Sequence, residues 1–213
     1  MKIVFLVLLT LLAPVYAAIS PEADKPSSSE NGFAMKHTTP VPPGFTCSNG
    51  WRITGYFTPI ESDYHSAEVR EVEINGVGKQ SFNAEFLRVV FDESQGFGEG
   101  WGKTRFGWYL GNYNNQWHKS SEPLDANDTV LKANSVAVDN ALIPNDSKVR
   151  IPGLPGESGN VMYIANDVGV TVHGKHIDVY TGEGKAAERA MYAVTFEDRS
   201  DLQRVCYQAP DSR

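Results

Sequence analysis

Asp167 and Asp178 stand near each other in the run MYIANDVGVTVHGKHIDVYTGEGKAAERA, each where a predicted strand meets a turn. Asp178 alternates with Ile177 and Val179, so a strand there turns the acid away from its two apolar neighbours. With those neighbours in a core, Asp178 points into a groove or pocket. An acid so placed, with a second acid close by, is a candidate for moving protons on a bound substrate. Positioning it requires a strand over 161–165, a turn on Asn166-Asp167-Val168-Gly169 and a short strand over 170–172. A turn at His173-Gly174-Lys175, a third strand over 176–180 and a glycine-punctuated loop opening a helix near 185–191 follow.

The elements before this stretch read as short strands. From Trp51 the alternation WRITGYFT gives a strand ending at Pro59, with Tyr56 and Thr58 on one face. Residues 68–74 alternate again and run into an Asn75-Gly76 turn. Residues 82–91 fit either a helix or a strand. A block of glycines among aromatics follows, which suits a loop or irregular hairpin that a ligand can approach closely. It holds Trp101, Trp108, Tyr109, Tyr113 and Trp117, either a platform on which sugar rings stack or plain core packing. GFGEGWG within it lacks the setting of a phosphate-binding loop.

Residues 135–139, 141–144 and 148–152 form two short strands joined by a turn. Asp139 ends the first and reads as a turn cap accepting backbone N–H groups. Residues 193–196 make a further strand, and 204–207 return the chain toward its start. Many short strands, few helices and abundant Gly and Pro predict an all-β fold, most simply a small closed barrel with loop insertions.

Composition narrows the function classes. The formal net charge of −7 argues against nucleic-acid binding. Residues 1–17 carry one Lys, a short apolar run and a small-residue cleavage pattern, which reads as a signal peptide. The run is shorter than the roughly 20 residues a membrane-spanning helix needs. The mature chain is therefore expected to be exported, without a membrane span. Residues 18–45, rich in Pro and Ser, read as a flexible leader, and the domain is set at 46–213. The two cysteines, Cys47 and Cys206, bracket that domain and in an oxidising compartment should form one disulfide. Two distant cysteines and scattered histidines show no metal-ligand spacing, and no cofactor is expected. His173 and His176, which flank a predicted turn, read as solvated.

Three segments, ITGYFTP, SVAVDNALIPNDSKVRIPG and YIANDVGVTVHGKHIDVYTGEGKAAERA, together resemble the three-aspartate (3D) domain family. The chain is also similar to the catalytic region of the membrane-bound lytic murein transglycosylases A. The resemblance implies a double-psi β-barrel in which Asp139, Asp167 and Asp178 are the namesake aspartates. It makes Asp178 the catalytic acid, puts Asp167 beside it in support, and lines the groove with Tyr56 and Thr58. Asp139, Trp101, Trp108 and Lys175 complete the expected substrate-binding set. The implied substrate is peptidoglycan, cut between N-acetylmuramic acid and N-acetylglucosamine to leave a 1,6-anhydro sugar. Where the family turn is usually Asp-Thr-Gly-Gly, this chain has Asp167-Val168-Gly169-Val170. The same barrel also suits a hydrolase of cellulose or chitin, which needs a second carboxylate, with Glu61, Asp63 or Glu99 as candidates. A non-catalytic wall-binding module is a third reading.

Overall fold

The computed structural model of the chain describes residues 43–196 and 203–211. The expected signal peptide and nearly all of the leader lie outside the described residues. Six strands close into a barrel, in the order β1 (Thr46–Thr58), β10 (His176–Glu183), β7 (Ser135–Val138), β9 (Tyr163–Asp167), β8 (Ser147–Arg150) and β11 (Gln203–Gln208). Two neighbouring pairs, β1–β10 and β7–β9, run parallel, and the other neighbours in the ring run antiparallel. The fold is thus mostly β, with α-helices at Ala84–Val90 (α1) and Gly184–Val194 (α2) among the described residues. Trp51, Ile53, Val136, Val138, Val149, Ile151, Ile177, Val179 and Val205 fill the barrel interior.

The expected loop insertions are larger than the sequence indicated. Between β1 and β7 the chain builds a separate five-stranded sheet in the order β3 (Gly78–Asn83), β2 (Val69–Ile74), β6 (Gln116–Ser120), β5 (Tyr109–Tyr113) and β4 (Trp101–Lys103). Its own core joins Val72, Ile74, Phe82, Phe86, Leu87, Val90, Leu110 and Trp117. The ambiguous segment 82–91 divides: Phe82 and Asn83 end β3, and α1 follows. Asn83 caps that helix by accepting N–H bonds from Glu85 and Phe86, which stops the strand where the helix begins.

Several sequence expectations are corrected. Residues 170–172 form a turn, not a strand, because Gly169 and the Thr171–His176 contact fold the segment back on itself. Residues 193 and 194 continue α2, and the backbone N–H of Phe196 then donates to Ile53 O rather than extending a strand. The two strands around Asp139 are not neighbours, since β9 lies between β7 and β8.

Gly55 shows how tightly α2 is held on the barrel. A Cβ there would lie 2.7 Å from Val194 Cγ2 and 3.0 Å from Met191 Cα. The Gly55 N–H also donates to Thr195 Oγ1 at 3.0 Å. Gly55→Ala must therefore push the helix off β1 and should cost about 1–3 kcal/mol. Thermal denaturation checks this, and an unchanged midpoint would mean the helix is not clamped there.

Candidate active site

The pairing register brings the acids together. Across the barrel, Thr54 on β1 pairs with Asp178 on β10, Asp178 with Ala137 on β7, and Ala137 with Asp167 on β9. The two carboxylates thus flank a residue with only a methyl side chain. Ile177 and Val179 face the core as the alternation predicts, and Asp178 faces the opposite way. There it lines a groove of about 740 Å³ together with Tyr56, Ala137 and Asp167. The far wall comes from the inserted sheet and its loops, with Phe97, Glu99, Trp101, Asn112 and Tyr113.

Each acid has a hydroxyl partner. The Thr54 Oγ1 lies 2.7 Å from Asp178 Oδ1 and 2.8 Å from His176 Nε2. The Tyr56 hydroxyl donates to Asp167 Oδ2 at 2.6 Å, and the Val168 N–H donates to Asp167 Oδ1 at 2.9 Å. Burial pushes Asp178 up to about 6, with the Asp167 charge adding to it and Thr54 and Arg52 opposing. Burial also raises Asp167, against the stabilising bonds from Tyr56 and Val168. Burial and the Asp167 charge hold Tyr56 well above its ordinary value, so it stays a phenol and a donor. Glu99 is pushed up to about 8 by burial, with Asp178 and Glu188 adding to it and the bond from the Phe57 N–H opposing.

The other expected site residues divide. Trp101 lines the groove but is buried, its ring lying against Gly111, where a Cβ would come within 2.5 Å of it. Trp108 packs in the inserted sheet, stacked on Phe106 at 6.0 Å and edge-on to Phe82 at 5.8 Å. Trp117 is core and Tyr109 is buried with its hydroxyl donating to Glu183. Tyr113 is the member of the aromatic block that stands exposed on the groove, stacked on His118 at 3.7 Å. Thr58 does not line the groove: it is buried, with its hydroxyl 2.8 Å from that of Tyr180, whose ring in turn lies 5.2 Å from the Tyr56 ring. Asp139 accepts N–H bonds from Ala141 and Gly174, a turn cap as its position in the sequence implies. Lys175 donates to Asn49 O, with its ammonium over the Trp51 ring.

Among the three possible second carboxylates, Glu61 is buried and bound to the Arg105 guanidinium and the Asn83 N–H, and Asp63 sits beside Gly184. Glu99 is the one that lines the groove. Phe97 is exposed on the groove rim, and nothing in its local sequence pattern marks it as a site residue. Val168 and Val170, the departures from the family turn, are exposed on the opposite rim. Cys47 and Cys206 are bonded, joining β1 to β11 where the barrel closes.

No curated protein sequence matches the chain. Residues 134–194 match the 3D domain. Among solved structures, MltA of E. coli with bound chitohexaose is 16% identical over 78% of this chain and 73% of that chain, with a TM-score of 0.54. MltA of Neisseria gonorrhoeae is 12% identical over 78% and 73%, with a TM-score of 0.48. LtgG of Burkholderia pseudomallei, a lytic transglycosylase, is 14% identical over 79% and 73%, with a TM-score of 0.42. The segment holding Asp139, Asp167 and Asp178 is thus a 3D domain, set in a chain that shares the fold of E. coli MltA.

Proposed function

We propose that the chain is a lytic transglycosylase of peptidoglycan, with Asp178 serving as acid and then as base. The observation that supports this most directly is a buried acid at the groove floor, raised to about 6 and set beside a second carboxylate. In its protonated form Asp178 gives its proton to the glycosidic oxygen as the bond from that oxygen to C1 of N-acetylmuramic acid breaks. The 6-hydroxyl oxygen of the same sugar then bonds to C1, and its proton passes to the Asp178 carboxylate. The anhydro ring closes, no water is consumed, and the acid is restored. An intramolecular nucleophile needs no second catalytic carboxylate. Asp167, held by Tyr56 and Val168, supplies negative charge beside the developing oxocarbenium ion. The reading is tested by incubating the purified chain with peptidoglycan sacculi and analysing soluble products by mass spectrometry. Anhydro-muropeptides are expected. Binding to sacculi without release would instead make the chain a wall-binding module.

Glu99 supports a second reading, a β-glycan hydrolase. It faces the same groove and is protonated at neutral pH, so it could act as acid with Asp178 or Asp167 as base. Glu99→Gln separates the two. A neutral carboxyl and an amide are alike in charge, and the amide oxygen can still accept the Phe57 N–H. A transglycosylase using Asp178 should therefore keep its anhydro products and lose less than about tenfold in rate, whereas losing a general acid costs roughly 10²–10⁴-fold. Reducing-end products from wild type, lost in this variant, would establish the hydrolase.

A further inference from the structure

We propose that His176 is a positioning residue that acts through the Thr54 hydroxyl to hold Asp178 in its proton-donating form. The proposal rests on the reading of Asp178 as the acid, and its hydrogen-bond logic rests on geometry alone. His176 is buried, with Nδ1 3.2 Å from Thr171 O and Nε2 2.8 Å from Thr54 Oγ1, which in turn lies 2.7 Å from Asp178 Oδ1. A carbonyl oxygen can only accept, so Nδ1 carries a hydrogen. In a neutral imidazole Nε2 is then a bare acceptor, and the Thr54 hydroxyl must donate its single hydrogen to it. The Thr54 oxygen is left to accept, and the group positioned to donate to it is a protonated Asp178. All contacts in the chain from Asp178 through Thr54 and His176 to Thr171 are then satisfied without any charge.

Ionising Asp178 disturbs that arrangement. The Thr54 hydrogen turns to the carboxylate, and two acceptors, the Thr54 oxygen and Nε2, face each other at 2.8 Å. Moving the imidazole hydrogen to Nε2 only shifts the conflict to Thr171 O. The remaining remedy is an imidazolium, which its surroundings oppose. Burial disfavours a positive ring, and Arg52 on β1 and His173 in the turn before β10 add to it, together outweighing the bond to Thr171 O that favours one. Facing Asp178 are Asp167, Glu99, Tyr56 and Arg52. From β7, its other neighbour strand, the side is closed by Ala137 and the apolar Val136 and Val138, with Asp139 engaged by Ala141 and Gly174. His176 thereby makes the Asp178 carboxylate more basic. That favours recovery of the proton from the 6-hydroxyl in the second half of the reaction.

The test follows the Asp178 side-chain carboxyl by ¹³C NMR titration, and the His176 ring by ¹⁵N NMR, in the full chain. The wild-type ring should be neutral with hydrogen on Nδ1 at a pH where Asp178 is protonated. His176→Leu frees Thr54 to serve the carboxylate and should lower the Asp178 midpoint by about one pH unit. In a Thr54→Val background, adding His176→Leu should leave the midpoint where Thr54→Val put it. A merely structural histidine would move none of these. An unchanged midpoint in folded His176→Leu, an equal shift without Thr54, or an Nε2–H or doubly protonated wild-type ring would each overturn the proposal. If His176→Leu does not fold, the wild-type ring spectrum decides. None of these measurements uses a substrate, so inactivity on sacculi would sink the function and leave this test standing.

Discussion

Asp178→Asn should abolish release of anhydro-muropeptides, by about 10³-fold or more, while the variant still binds sacculi. One carboxyl serves two proton transfers in the proposed reaction, and each is typically worth roughly 10²–10⁴-fold. The amide can neither give a proton to the leaving oxygen nor take one from the 6-hydroxyl. The same substitution should make the protein more stable above neutrality. The native state holds the Asp178 proton more tightly than the unfolded chain does, since its value is raised to about 6. Stability is therefore lost as pH rises from the ordinary carboxyl range through about 6, and the Asn variant escapes that loss. At pH 8 the variant should be more stable than wild type, by an amount on the order of 2 kcal/mol, and so melt higher, and at pH 4 the two should converge. Residual anhydro product near the wild-type level would remove Asp178 from the chemistry. A melting difference that persists unchanged at pH 4 would remove its titration from the stability.

The second large effect concerns the seam of the barrel. Cys47 and Cys206 are register partners on β1 and β11 and are bonded across a sequence separation of 159. Replacing both by Ala releases a loop of that length in the unfolded chain, which the chain-entropy account values at about 4–5 kcal/mol, with typical measured losses of roughly 2–5 kcal/mol. For a chain of this size the thermal midpoint should fall by roughly 10 °C. β11 also contributes Val205 to the barrel interior and pairs with β8, so weakening this seam loosens both neighbours at once. Melting wild type with and without reductant, beside the double variant, checks this. A midpoint indifferent to both would show that strand pairing alone closes the ring.

Local pattern reveals the acid but not its company. The Ile177-Asp178-Val179 alternation places Asp178 on the outer face, because a strand's side-chain period holds wherever pairing is regular. It does not say how far along a face the groove extends: Thr58 and Tyr56 both meet Tyr180, yet Tyr56 lines the groove and Thr58 is covered. The aromatic block misleads in the same way. Trp108 and Trp117 follow the pattern of a sugar platform, yet an aromatic ring is placed by whatever surface folds against it, and here that is Phe82, Phe86 and Phe91. Glu99 is visible as an acid, but only the folding of the inserted sheet against the barrel sets it in the groove. His176 has the local sequence of a turn histidine in solvent, and is buried beneath Thr171 instead.

The groove draws its two walls from different parts of the chain. Tyr56, Ala137, Asp167 and Asp178 come from barrel strands, whereas Phe97, Glu99, Trp101, Asn112 and Tyr113 come from a sheet with its own core and the loops that join it. In the proposed transglycosylase, with Asp178 as the acid, proton transfer and ligand choice are thereby encoded separately. The segment between β1 and β7 can vary to suit a different glycan backbone without altering the register that pairs Thr54 with Asp178. Such a division makes the chain modular, an exchangeable recognition cassette carried on a fixed reactor. It also means that residues 134–194 by themselves are not a working unit, since the Thr54 and Tyr56 hydroxyls that govern both acids lie upstream on β1.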